Sequence, residues 1–199
     1  SHYYSSAFNG TISFRGTLNY FECSNSYQNI NHDISLIPNF LWYYRNEGIN
    51  VSYGDISQLP TSLEVFIDKG RNLVYGDILG LPSGIRIIDI QGGNLVEGNI
   101  SEIPNLINIT QIEITGDNTI DGYDSGTVFS SQITKFIVNP VSGTGFITSQ
   151  VDAIIIDLYN SGMIEGEIQL LGVSEPRSSL SDYAFNQLTQ INQVQVYTN

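Results

Sequence analysis

Gly54-Asp55-Ile56-Ser57-Gln58-Leu59-Pro60 returns as Gly76-Asp77-Ile78-Leu79-Gly80-Leu81-Pro82 and again as Gly98-Asn99-Ile100-Ser101-Glu102-Ile103-Pro104. One step earlier stands His32-Asp33-Ile34-Ser35-Leu36-Ile37-Pro38. Pro38, Pro60, Pro82 and Pro104 are 22 apart each time, so four units share one register. Gly10-Thr11-Ile12 continues that register backwards. Beyond Gly98 the spacing loosens to steps of 24, 21 and 23 at Gly122, Gly143 and Gly166, where Glu165-Gly166-Glu167-Ile168 repeats Glu97-Gly98-Asn99-Ile100 closely. Self-similarity at such a period marks a repeat array, in which each unit buries its apolar side against its neighbours.

Apolar spacing within a unit says what the unit is. Ile85-x-x-Ile88-x-Ile90 precedes Asn94-x-Val96-x-Gly98, and the template returns as Ile109-x-x-Ile112-x-Ile114 before Asn118-x-Ile120-x-Gly122. The alternating end of the first motif reads as a short strand with Ile88 and Ile90 on one face. One strand per ~22 residues stacks into a parallel ladder, and the Leu-Pro segments supply an irregular or 3₁₀ crossover. Ile34, Ile56, Ile78 and Ile100 should then form one interior column.

Asn50, Asn72 and Asn94 are also 22 apart, and Asn118 follows after a longer step. A short amide pointing inward at a bend can satisfy backbone groups of its own and adjacent units. Gly54, Gly76 and Gly98 stand at a fixed offset where a side chain would obstruct the turn or demand positive φ. The asparagines, these glycines and the four prolines therefore read as a structural ladder.

The pattern resembles a leucine-rich repeat, close to the plant-type form L-x-x-L-x-L-x-x-N-x-L-x-G-x-I-P. It departs from that form in two places: Asn94 lies four residues after Ile90 rather than three, and Pro82 lies six after Gly76 rather than three. Asn46 and Asp68 also place polar residues at the third strand position. Runs such as N-x-I-x-G-D-I-x-x-L-P-x-x-L are similar to repeats in proteins of crAss-like bacteriophages and their gut bacterial hosts. The end of the chain, from Val151 through Leu158 and Pro176 to Asn199, resembles their shared C-terminal cap. The resemblance implies a virion-associated (phage tail) or extracellular, cell-surface location, with a host surface protein or glycan, or other virion proteins, as partners.

The expected architecture is an α/β-type repeat solenoid, mostly β: a right-handed, leucine-rich-repeat-like coil of about eight turns. It has one parallel sheet, an irregular or 3₁₀ outer wall and a C-terminal helix-strand cap. Residues 1–31 read as an aromatic-rich N-terminal cap with a degenerate first coil, 32–172 as the solenoid and 173–199 as the cap. In that cap Ser179-Leu180-Ser181-Asp182 is a capping-box variant, and Leu180, Ala184 and Leu188 fall four apart on one helical face. Ile191-x-x-Val194-x-Val196 then forms a closing strand.

Composition narrows the function classes. The 199 residues suit one domain able to bury a real core, and 41% hydrophobic with 11% aromatic residues argue against disorder. Seven basic residues against 20 acidic give a formal charge of −13, which repels phosphate backbones and anionic lipids. Nucleic acid is excluded as a partner on that ground. No apolar run approaches the ~18 residues of a membrane span, so membrane insertion is not expected. Cys23 is alone, so stability must come from packing and backbone hydrogen bonds. The sequence opens Ser-His-Tyr without Met and reads as a processed product or a part of a larger chain or assembly.

Motifs of catalysis are missing: no G-x-S-x-G, P-loop, H-E-x-x-H or dinucleotide fingerprint occurs, and no cofactor is expected. Asp33, Asp55 and Asp77 would stand one strand spacing apart, but an Asp after Gly is more simply a turn residue bonding local N–H groups. Asp117-Asn118-Thr119-Ile120-Asp121-Gly122-Tyr123-Asp124 is similar to the start of a calcium loop, with Asp117, Asp121 and Asp124 as ligands. Its twelfth position is Val128 where a bidentate glutamate belongs, so an ordinary turn is the expectation and no metal is assigned.

A surface is the better candidate, because repeat arrays bind on the concave face of the sheet. A 22-residue step puts Tyr20 beneath Trp42 and Phe21 beneath Tyr43, with Arg45 alongside. Glu64 and Arg86 follow, then Gln111, Glu113 and Lys135. Aromatics beside an arginine carry binding energy in interfaces, and flat rings also stack on sugars. A ligand site and a patch covered by the N-terminal segment are equally compatible with this pattern. The leading expectation is a non-catalytic attachment module. A structural virion component filling an assembly interface, or a bacterial cell-surface repeat protein, are the alternatives.

Overall fold

In a computed structural model of the chain, residues 9–11, 18–23, 29–69, 73–143 and 145–199 are described. The protein is mostly β: its strands alternate between two parallel sheets as far as β12, and the last two join the larger sheet. In chain order they are β1 (Asn9–Thr11), β2 (Tyr20–Cys23), β3 (Asn29–Asp33), β4 (Tyr43–Asn46), β5 (Val51–Asp55), β6 (Val65–Asp68) and β7 (Leu73–Asp77). They continue as β8 (Ile87–Ile90), β9 (Leu95–Asn99), β10 (Gln111–Gly116), β11 (Thr119–Gly122), β12 (Lys135–Pro140), β13 (Gly166–Leu170) and β14 (Val194–Thr198). One sheet runs β1-β3-β5-β7-β9-β11, and the other β14-β13-β12-β10-β8-β6-β4-β2.

The second sheet corrects the expectation of a single sheet facing an irregular wall. Segments such as Leu73-Val74-Tyr75 alternate out, in, out, with Val74 buried and its neighbours exposed. That two-residue period lets the segment pair as a strand. The 3₁₀ turns are present as well, at Ile34–Leu36, Ile56–Gln58, Ile78–Gly80 and Ile100–Glu102. Ile34, Ile56, Ile78 and Ile100 open these turns and all are fully buried. Successive turns touch, so the four isoleucines stack as one column.

Each turn is capped from the strand before it. Oδ1 of Asp33, Asp55 and Asp77 accepts from the backbone N–H of Ser35, Ser57 and Leu79 at 3.0, 2.8 and 2.8 Å, and Asn99 serves Ser101 in the same way at 2.9 Å. Gly76 and Gly98 sit at φ 116° and 121°, and a Cβ there would come within 2.6 and 2.7 Å of the capping carboxylates of Asp55 and Asp77. Gly54 has the same backbone, at φ 123°. The carbonyls of Pro38, Pro60 and Pro82 each accept from the N–H three residues on, closing the bend into the next strand. After Pro104 the left-handed Asn105 and an extra 3₁₀ turn, Leu106–Asn108, accompany the longer 24-residue step.

The asparagine ladder is as the sequence implies. Oδ1 of Asn50, Asn94 and Asn118 accepts from Ile30, Val74 and Val96 N–H of the preceding unit at 3.2, 3.0 and 3.0 Å. Each amide nitrogen donates to a carbonyl three residues back, at Glu47, Gln91 and Thr115. Asn72 lies outside the described residues. Each of these three amides thus ties two units, its oxygen through a buried bond to the preceding unit's backbone.

The sequence also conceals one helix. Val151, Ile154, Ile155 and Leu158 are buried at helical spacing in α1 (Thr148–Asn160), which follows β12 where the smaller sheet has ended. In the C-terminal cap, α2 (Asp182–Gln190) buries Ala184 and Leu188 as expected. Leu180 does not join them: it is 73% exposed in the 3₁₀ turn Ser179–Ser181, which precedes the helix and is capped by Ser178 Oγ. β14 closes the larger sheet as expected.

Candidate functional site

The larger sheet sends alternate side chains into the core and outward, because a strand's side chains change face at every residue. Phe21, Tyr44, Phe66, Ile88, Ile112, Phe136 and Ile168 form one interior row. Tyr20, Tyr43, Gln111 and Lys135 share an outward row, and Glu22, Arg45, Asp89 and Glu113 share the next.

Phe21 is therefore not a surface residue. Its partner is Tyr44, 23 residues on, and Tyr20 pairs with Tyr43. The first step is one residue longer than the 22-residue alignment assumes, and a slip of one residue moves a side chain to the opposite face. Phe21 is buried and its ring stacks on Tyr44 at 5.2 Å.

The remaining aromatics do come together. Tyr20 and Tyr43 stack at 4.4 Å with an interplanar angle of 9°, and Trp42 lies 6.0 Å from Tyr20 and 5.6 Å from Tyr43 with its ring tilted. Trp42 is 42% exposed and the two tyrosines are half-buried. The Tyr20 hydroxyl donates to Glu22 at 2.6 Å. That bond to a carboxylate, with partial burial and the Glu22 charge, pushes the phenol up and keeps it a donor. Arg45 reaches Glu22 at 3.8 Å and Glu47 at 3.1 Å.

Beyond Arg45 a line of polar contacts crosses the sheet. Lys69 bridges Glu47 at 3.9 Å and Asp89 at 2.6 Å, Gln91 donates to both Asp89 and Glu113 at 2.8 Å, and Lys135 pairs with Glu113 at 2.5 Å. Burial raises the Asp89 carboxyl, against the pull of the Lys69 hydrogen bond. Gln111 sits beside Lys135 in register. Glu64 and Arg86 stand one residue before their strands, in the row of Trp42: Glu64 N–H donates to Trp42 O at 2.9 Å and Arg86 N–H to Glu64 O at 2.8 Å. Both are exposed, and among the described residues no ion pair joins them.

The 117–124 segment is not the ordinary turn expected of it: Thr119–Gly122 form β11, which pairs with β9, and only Asp117 and Asn118 make the bend before it. Asn118 spends both ends of its amide on backbone groups, Asp117 is exposed, and the Asp124 carboxylate accepts from Asn99 Nδ2 at 3.2 Å. The Asp121 side chain is outside the described set. Among the described residues no three His, Cys, Asp or Glu side chains gather as a metal would require, and no helix is long and apolar enough to cross a membrane.

A buried polar cluster lies beneath the aromatic patch. Tyr44 Oη and Ser52 Oγ are 2.8 Å apart, Asn46 Nδ2 donates to Ser52 Oγ at 2.6 Å and to Asp68 Oδ1 at 3.2 Å, and Ser52 Oγ donates to Asp68 Oδ1 at 2.8 Å. Burial pushes the Asp68 carboxyl up to about 7, against the hydrogen bonds from Ser52, Asn46 and Asn94. His32, on β3 beside Ser52, is fully buried and burial lowers it to about 4. The polar third-strand positions Asn46 and Asp68 were the sequence signal for this cluster.

Sequence reading also missed the outward face of the smaller sheet. Tyr53, Leu73, Tyr75 and Leu95 lie side by side there, and their own 22-residue spacing (53 to 75, 73 to 95) was the available signal.

Comparison with family models, with curated proteins and with solved structures returned no match.

Proposed function

We propose that the chain is a leucine-rich-repeat-like, right-handed solenoid that serves as a non-catalytic binding module. Its recognition surface is the outward face of the larger sheet, centred on Tyr20, Trp42, Tyr43 and Arg45. One observation carries this reading: three aromatic rings and a guanidinium converge on adjacent strands, with Trp42 presented to solvent. Rings and arginine are the groups that concentrate binding energy, and a tilted indole beside a stacked tyrosine pair offers apolar faces to the C–H edge of a sugar or to a protein side chain. The hydrogen bonds of Tyr20 to Glu22 and of Arg45 to Glu47 hold the Tyr20 ring and the guanidinium in place before a ligand arrives, which lowers the ordering cost of binding.

The acidic ladder fits this reading, since Asp33, Asp55 and Asp77 each cap a turn. The resemblance to crAss-like phage proteins supports a reading of the module as virion-borne, with a host surface glycan or protein as its target. The test is binding of the chain to polysaccharide and protein fractions from the envelopes of gut bacteria. Trp42→Ala with Tyr43→Ala should lower binding by about tenfold or more while the thermal melt keeps its cooperativity. Unchanged binding by the double variant would overturn the assignment, and the fraction that binds identifies the ligand class.

A further inference from the structure

The outward face of the smaller sheet is chemically unlike that of the larger one. Leu73, Tyr75 and Leu95 are 60%, 50% and 59% exposed, and Tyr53 is 37% exposed. In register, Asp33 leads to Tyr53 and Leu73, while Asp55 leads to Tyr75 and Leu95. Two parallel rows result, each with a carboxylate at one end and apolar side chains behind it. Together they line a shallow groove of about 530 Å³.

Charge follows the same division. Asp77 and Glu97 continue the acidic border in the next row. Among the described residues, no strand of this sheet and no 3₁₀ turn attached to it carries a lysine or arginine. The described cations Arg45, Lys69 and Lys135 lie on the larger sheet, Arg86 stands at its entry, and Arg177 is held in the C-terminal cap by Asp182. A contiguous exposed apolar patch marks an interaction site, and a border that is acidic among the described residues selects its partner by sign.

We propose that this face docks a cationic, amphipathic segment of a partner protein, with its apolar side chains on Tyr53, Leu73, Tyr75 and Leu95 and its lysines or arginines against Asp33, Asp55 and Glu97. The surface is distinct from the aromatic cluster on the larger sheet, so either assignment can fail alone. A second copy of this chain is disfavoured as the occupant, because its matching face would bring acid against acid at a net charge of −13 per chain.

The experiment uses an eight-residue peptide of alternating Lys and Leu, with Lys/Ser and Glu/Leu peptides as controls, titrated against the intact chain by fluorescence anisotropy. The Lys/Leu peptide should bind at least about tenfold tighter than either control, and more weakly as salt rises. Tyr53→Ser with Tyr75→Ser should remove about tenfold of that affinity with the fold retained, since both side chains are exposed. Asp33→Asn with Asp55→Asn and Glu97→Gln should flatten the salt dependence without loosening the turns, because Asn99 already caps its own turn as an amide. Equal binding of the Lys/Ser peptide, or unchanged binding by the tyrosine variant, would overturn the proposal. So would self-association of the chain that the tyrosine variant abolishes.

Discussion

The two halves of this molecule share the strands of the larger sheet and differ behind them. From β8 to β13 the interior rows hold Ile88, Ile90, Ile112, Ile114, Phe136, Val138, Ile168 and Leu170, all apolar and all buried. From β2 to β6 the same positions hold Phe21, Cys23, Tyr44, Asn46, Phe66 and Asp68, with His32 and Ser52 facing them from the smaller sheet. The repeat therefore dictates where backbone goes, through its asparagines, glycines and turn caps, and leaves the chemistry of the interior free to vary. Along these rows the later half relies on packing, and its buried carboxylates Asp152 and Asp157 lie on α1, where they accept from Ser181 and Tyr123 hydroxyls. The earlier half links hydroxyl, amide and carboxyl groups into a network whose members fit only one register, directly behind the strands that carry Tyr20, Trp42 and Tyr43. A buried network of this kind trades stability for a fixed arrangement.

The largest effect should come from emptying the packed half. Phe136 is fully buried and meets Phe129 edge-on at 5.5 Å. Phe136→Ala should cost about 3–5 kcal/mol, from lost transfer energy and the cavity left behind. Phe66→Ala removes an equal volume beside Tyr44, whose ring lies 5.4 Å away in the polar cluster. A cavity bordered by hydroxyl and carboxyl groups can admit water, so this second variant should lose less. Urea titration of both decides the matter: if Phe66→Ala costs as much as Phe136→Ala, the halves differ in composition alone.

That contrast also explains which parts of the structure the sequence made legible. The 22-residue period, the asparagine ladder and the turn caps answer to backbone geometry, which recurs at the four turns from Ile34 to Glu102, and they could be read by alignment. Phe21 was misplaced because the first step is 23 residues, and strand parity turns one residue into the wrong face. The smaller sheet was hidden because Leu73, Tyr75 and Leu95 look like loop residues until Val74 and Val96 are seen to point inward between them. In α1 the spacing of Val151, Ile154, Ile155 and Leu158 was visible, but the unit lies where the repeat loosens. The aromatic cluster was found because neighbouring strands bring Tyr20, Trp42 and Tyr43 together even when their exact register is wrong. The polar interior could not be read as a network, since hydrogen bonds among Tyr44, Asn46, Ser52 and Asp68 join residues from different sheets.

A smaller effect, and one with a sign, comes from pH. Asp68 titrates near 3.8 when unfolded and at about 7 in the fold, so the native state holds a proton that the unfolded chain releases. Its contribution is complete below about pH 4 and is lost as pH rises through 7. His32 runs the other way: burial lowers it from 6.5 to about 4, so its contribution is complete above about 6.5 and is lost as pH falls through 4. The two slopes oppose each other over most of the acid range. Asp68→Asn keeps the acceptor for Asn46 and Ser52 and removes the charge. Relative to the parent it should gain up to about 1.4 kcal/mol of stability per pH unit between 4 and 7, reaching roughly 2–4 kcal/mol at pH 8. The variant alone should then weaken on acidification below 6.5, as His32 acts without its opponent. Guanidinium melts at pH 4, 6 and 8 measure this, and a difference between variant and parent that does not change with pH would mean that Asp68 carries no proton in the native state.

The smallest effect probes whether the halves are joined outside as they differ inside. Lys69, at the end of β6, bridges Glu47 of the polar-cored half to Asp89 of the apolar-cored half, and Lys135 pairs with Glu113 wholly within the latter. Both lysines are about a third exposed, so solvent screens each contact. Lys69→Met and Lys135→Met should each cost under about 1 kcal/mol and lose much of that cost at 1 M salt. Lys69→Met should stand slightly above Lys135→Met, because Asp89 is nearly buried and among the described residues would keep Gln91 alone as its partner. A cost for Lys69→Met that exceeds about 2 kcal/mol and persists in salt would place a desolvated ion pair at the junction. The contrast between the halves would then belong to the seam between them rather than to their interiors.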